Sequence, residues 1–132
     1  ANPEAIWASL PVDPRREILA RRIHLAALDT AALARSSAPR PDLVLRMQGV
    51  ALVGVFLRLT PFAARAGLGR DELLAAVRPQ LEHFFGKRGR RVVEANLALV
   101  AAAYDGVIDV TGAVTALVMA PRHEVSLMEV VQ

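Results

Sequence analysis

Apolar residues in this chain recur at three- and four-residue spacing over two long stretches, and crowd together without a polar face over a third. From Asp71 onward, Leu73, Leu74, Val77, Leu81 and the pair Phe84 and Phe85 form one helical face, which predicts an amphipathic helix with both phenylalanines at a spacing that favours burial. Pro79 falls inside that pattern and is expected to kink the helix or divide it, because proline removes a backbone donor and crowds the preceding turn. After Gly86 and Gly89 a second amphipathic helix is predicted to about Asp105. Its inner face is Val93, Leu97, Val100 and Tyr104, with Val92, Asn96, Leu99 and Ala103 alongside.

Residues 43–59 are apolar almost all round, the pattern of a buried helix. Glycine inside a helix costs up to about 1 kcal/mol. Close approach of another backbone at Gly49, Ala51 and Gly54 is the expected compensation, in the core or across a self-association face. Thr60-Pro61 closes this helix, and Gly67-Leu68-Gly69 reads as a helix C-cap.

Before this region the chain opens with a proline-rich, irregular segment anchored by Trp7 and Leu10. Asp13-Pro14 predicts an N-cap and first-turn proline for a short helix over 14–21. In IHLAAL, residues 23–28, apolar side chains alternate onto both faces with only His24 interrupting, which predicts a strand covered on both sides in a parallel sheet. Asp29 and Thr30 then cap a short helix, and Ser36 to Asp42 is a loop. Beyond Gly106, VIDV and AVTALVM are rich in β-branched residues and predict one or two strands, and HEVSLMEVVQ a third strand or a tail. The expected fold class is therefore α/β, a helix-rich three-layer α/β/α fragment around a small, partly parallel sheet, with residues 1–132 as a single domain.

Composition narrows the function classes. The chain has 132 residues, 54% of them hydrophobic, enough for one core. The absence of cysteine removes disulfides and thiolate metal sites and agrees with a reducing compartment, so a cytoplasmic location is expected. The longest apolar run, 49–57, is too short to span a bilayer. The chain begins at Ala1 without methionine, which reads as a cut domain whose missing neighbours hold the site residues.

The formal charge is +3. Between Arg65 and Arg91 seven bases (Arg65, Arg70, Arg78, Lys87, Arg88, Arg90, Arg91) oppose three acids (Asp71, Glu72, Glu82), so this third of the chain carries an excess of 7 − 3 = +4. The turn KRGRR, Lys87 to Arg91, reads as a solvated turn, as a contact for a partner protein or acidic cofactor, or as a nucleic-acid contact. With aromatics at 5%, base stacking is the least favoured of the three.

Motifs that would declare a chemistry are missing. His24, His83 and His123 have no paired ligand spacing, so no metal site is expected. Ser9, Ser36, Ser37 and Ser126 lie in no nucleophile elbow. Asp29 has no glycine-rich turn before it and reads as a helix cap rather than a ribose ligand. Asn96 is expected to satisfy its amide on a neighbouring loop or, alternatively, on a ligand.

Three segments nevertheless carry a resemblance. RMQGVALVGVFLRLTPF (46–62), a helix ending HFFGKRG (83–89) and RRVVEANLALVAAAYD (90–105) resemble the C-terminal half of the gamma domain of 2-oxoacid:ferredoxin oxidoreductases. Phe85, Lys87, Val92, Val93, Glu94, Asn96 and Tyr104 stand at matching places. Upstream, IWASLP and RRIHLAALDTAALA resemble the strand-helix unit that precedes this region, so the resemblance covers about residues 7–110.

The resemblance implies a part of a thiamine-diphosphate-dependent enzyme that decarboxylates a 2-oxoacid, passes electrons through iron-sulfur clusters to ferredoxin or flavodoxin, and hands the acyl group to coenzyme A. It also implies magnesium in the parent, a homo-oligomer, and other domains or subunits as partners. The glycine-rich opening of the gamma domain is absent here, so catalytic and cofactor-binding residues stay unassigned and the chain alone is expected to be inactive. The alternative expectation is a small basic module that binds an acidic protein or nucleic acid.

Overall fold

The computed structural model describes residues 2–118, and the side chains of residues 2–115. Its contacts divide the chain into two compact units. One is formed by the described residues of Ala1–Ala27 and Ile108–Gln132, the other by Leu28–Val107.

The first unit opens with helix α1, Pro3–Ala8, where an irregular segment is expected from sequence. The Asn2 side chain accepts the Ala5 amide at 2.7 Å, and Pro3 occupies the first helical position, where its missing donor costs nothing. Helix α2, Val12–Ala20, starts one residue before Asp13, which makes no capping bond. It ends in a Schellman turn: Ile23 donates to Ile18 at 2.9 Å and Arg22 to Leu19 at 3.3 Å. Arg22 therefore sits at φ 54°, the left-handed region that glycine occupies more cheaply.

The expected strand over 23–28 is reduced to β1, Ala26–Ala27, with Ile23 and His24 exposed. It pairs with β2, Ile108–Asp109, and the pairing is antiparallel, Ala26 opposite Asp109 and Ala27 opposite Ile108. Among the described residues this is the whole sheet; parallel pairing and a three-layer arrangement are not seen.

The segment expected to continue as strand beyond VIDV is instead helix α8, Val110–Val118. The cause is local. Asp109 accepts the Gly112 amide at 2.9 Å, an N-terminal cap that turns the chain out of the sheet. Val110 and Val114, one turn apart, then bury against Trp7. The segment 123–132 lies outside the described residues.

The second unit is all helical. Asp29 accepts the Ala32 amide at 3.0 Å and caps α3, Thr30–Ser37, as its sequence predicts. A 3-10 turn at Pro41–Leu43 leads into α4, Val44–Leu59, followed by α5, Phe62–Ala66. Gly67, at φ 69°, closes α5 with a second Schellman turn. Helix α6, Arg70–Phe85, runs through Pro79 undivided, and α7 spans Arg90–Gly106.

The buried stripe of α7 is Val92, Val93, Asn96, Leu99, Val100 and Ala103. Leu97 and Tyr104 are only half buried, so the core face is turned from the expected one toward the residues placed alongside it. Met47, Ala51 and Leu57 of α4, Leu73, Leu81 and Phe85 of α6, Ala34 of α3 and Leu43 join it in the core. Each full burial of such a side chain is worth roughly 1.5–3 kcal/mol.

At Gly54 the backbones of α4 and α7 come into direct contact. A Cβ there would overlap the Val100 carbonyl oxygen and fall 2.9 Å from the Tyr104 amide nitrogen. Gly49 is different, with nothing within 4 Å of an added Cβ. Gly54→Ala is therefore expected to lower stability by about 1–3 kcal/mol in urea unfolding. Gly49→Ala should leave it unchanged or raise it by up to about 1 kcal/mol. Arg22→Gly should raise it by about 1 kcal/mol, provided the Schellman turn keeps its form.

Candidate functional site

α4 and α6 both pack on α7, and a groove lies between them on the outside of the helical unit. Its walls are Gly49 and Val53 of α4 and Val77, Leu81 and Phe84 of α6, with Arg46 at the rim, around a cavity of about 650 Å³. Phe84, expected to be buried beside Phe85, is 70% exposed, its ring meeting His83 edge-on at 5.4 Å.

The outer face of α4 is more open still. Leu45 is 80% exposed, and Leu52, Phe56 and Leu59 are also exposed. The apolar character of α4 all round is therefore not explained by burial within this unit. The sequence shows that α4 is apolar almost all round, but not which of its sides its own unit leaves open.

The basic stretch does not form one free stripe. Arg70 donates two hydrogen bonds to Asp105, at 2.8 and 2.7 Å, and one to Asp71 at 2.9 Å. Arg78 grips Glu94 with both terminal nitrogens. These pairs brace α6 against α7. Hydrogen bonding to Arg70 holds the Asp105 carboxyl below the usual carboxylate range, opposed by desolvation, and Arg78 does the same for Glu94. Lys87, Arg88, Arg90 and Arg91 remain exposed around Gly89, with Arg90 close enough to Glu94 to add to its shift.

Asn96 is fully buried. Its Nδ2 donates at 2.9 Å to the Val92 carbonyl of its own helix rather than to a loop, and Oδ1 has no partner among the described residues. It is not among the residues that line the groove.

The first unit has a second concavity, of about 820 Å³, lined by Leu19, Arg22, Ile23, His24, Thr111 and Gly112 among others. His24 Nε2 lies 2.9 Å from Asp109 Oδ1, the same oxygen that caps α8. The Gly112 amide and then His24 hold the Asp109 carboxyl low, against desolvation.

A histidine so oriented could exchange a proton. However, the neighbouring Thr111 hydroxyl is occupied with the Leu25 backbone, and among the described residues no hydrogen bond joins His24 to a hydroxyl. Ser9 and Ser36 likewise bond their own helices. Among the described residues no group of three His, Asp or Glu could hold a metal, and no helix is long and apolar enough to cross a membrane. His123 and Ser126 lie outside them.

Comparison with protein-family models, with curated proteins and with solved structures finds no match to this chain.

The Arg70–Asp105 pair has a pH signature. Because the folded carboxyl is held low, its contribution to stability is present above the unfolded value near 4 and is lost as pH falls through the folded pKa. Asp105→Asn should therefore unfold at lower urea concentration than the parent at pH 7. That difference should close progressively below about pH 4, as followed by urea unfolding across the acid range.

Proposed function

We propose that this chain is a structural and interface part of a thiamine-diphosphate-dependent 2-oxoacid:ferredoxin oxidoreductase. The observation that carries the interface role is the exposed apolar face of α4, with Leu45, Leu52 and Phe56 all more than half exposed. A contiguous patch of that kind marks a contact surface. The parent enzyme is suggested by the residues that resemble the gamma domain.

Several of those residues, Phe85, Val92, Val93 and Asn96, are buried where α6 and α7 pack, and Lys87 stands in the turn that joins the two helices. They build a helix pair rather than a reaction centre, which suits a structural part. On this reading the chain works in the cytoplasm among other domains or subunits of a homo-oligomer. The three-layer, partly parallel sheet is completed by segments of the parent.

Thiamine diphosphate, magnesium, iron-sulfur clusters and coenzyme A fit poorly on this chain itself. It has no cysteine, and its described carboxylates gather into no metal-binding group. They are assigned to the parent's other parts, and no catalytic step is given to these residues. A second reading, a basic module for an acidic partner or nucleic acid, is favoured by the exposed Lys87, Arg88 and Arg91. Commitment of Arg70 and Arg78 to carboxylates weakens it.

The two readings separate when the chain is tagged at its chromosomal locus and purified without oxygen. The oxidoreductase reading expects co-purification with larger polypeptides, an iron-sulfur absorbance, and viologen reduction that requires both a 2-oxoacid and coenzyme A. A lone monomer without that activity, or a nucleic-acid complex that salt dissociates, would overturn it.

A further inference from the structure

We propose that the α4/α6 groove, with the outer seam of α4 beside it, docks an amphipathic helix of another polypeptide that carries a carboxylate at the position facing Arg46. This goes beyond the parent-enzyme reading and stands whether or not that reading survives.

The form of the occupant follows from spacing. Along α4 the exposed residues Leu45, Gly49, Leu52, Phe56 and Leu59 are separated by four, three, four and three, with Arg46, Val53 and Arg58 exposed beside them. That alternation keeps a seam in line along one side of a helix, and it is the geometry in which a second helix packs side chains into holes. α4 has 16 residues, so the seam is roughly 20 Å long, about four turns of a partner. An extended strand would need an open sheet edge for its backbone, and α4 has none.

Gly49 belongs to both the seam and the groove, and nothing occupies the space above it. It therefore forms a hole one turn in from the start of the seam, and the cavity beside it is large enough for apolar side chains of the incoming helix.

Charge selects among helices. Arg46 is the only charged residue that lines the groove, and no hydrogen bond or ion pair engages it among the described residues. Gln80 is the other polar side chain at the lining. A helix covering the groove shields Arg46 from water and leaves it in need of an acceptor, which a carboxylate supplies.

A second copy of α4 does not supply one. Its two charges are Arg46 and Arg58, and Arg58 is engaged with the Tyr104 carbonyl and ring. A lipid surface would leave the hole at Gly49 without a shaped counterpart.

The test uses two labelled synthetic helical peptides with leucines at the same four-three spacing, one flanked by glutamates and the other by lysines, titrated against the full chain by fluorescence anisotropy. The glutamate peptide should bind more tightly by about two- to fivefold, the scale of one surface ion pair, and Arg46→Glu should reverse the preference. Gly49→Leu should abolish binding by filling the hole, while its thermal unfolding temperature stays at or above that of the parent; this separates a blocked groove from a damaged fold.

Equal binding of both peptides, binding of neither, or no reversal in Arg46→Glu would overturn the proposal. Dimerisation in light scattering that competes with the glutamate peptide would assign the face to a second copy instead, and sedimentation with neutral phospholipid vesicles would assign it to a membrane surface.

Discussion

The second unit depends on the approach of α4 to α7 at Gly54. With a hydrogen in place of a side chain, the α4 backbone comes against the Val100 carbonyl and Tyr104 amide of α7. Met47, Ala51 and Leu57 can then reach the same core as Leu99, Val100 and Ala103. A wider spacing would open voids along the whole contact, and cores close-packed like crystals tolerate few of those. The α4 face turned away from α7 is set by the same contact. Fixing Gly54 inward sends Leu45, Leu52 and Phe56 outward.

Where periodicity and local chemistry agreed, the elements could be read from residues alone. α6 and α7 follow from their three- and four-residue spacing, α3 from its Asp29 cap, and the end of α5 from Gly67. Pro79 did not divide α6, because apolar residues on both sides of it, Leu73, Leu81 and Phe85, anchor the two halves in one core. The strand expected at 23–28 failed for a different reason. An apolar run suits a covered strand only if a sheet exists to cover it, and among the described residues only Ala26 and Ala27 find a partner. Beyond β2, β-branched content suggested strand, yet one carboxylate at Asp109 and the burial of Val110 and Val114 were enough to make a helix.

The groove was the least legible feature. A helix buried by its own chain and a helix covered by another protein have the same apolar sequence. Only coordinates show which side is left open. The basic stretch misled in the opposite direction. Counting charges gave an excess of bases, but Arg70 and Arg78 are matched by Asp105 and Glu94, which lie 35 and 16 residues further along. Pairing between distant residues is invisible to a local tally.

Those two ion pairs also distinguish the two walls of the groove. The α4 wall meets α7 by backbone contact at Gly54. On the α6 wall, apolar burial sets depth, while the half-exposed Arg70–Asp105 and Arg78–Glu94 pairs set its position along α7. Ions in solution screen exposed pairs of this kind. The groove is therefore walled on one side by a helix in backbone contact with α7 and on the other by a helix tied to α7 through half-exposed ion pairs, so salt acts on the ties of one wall and not on those of the other.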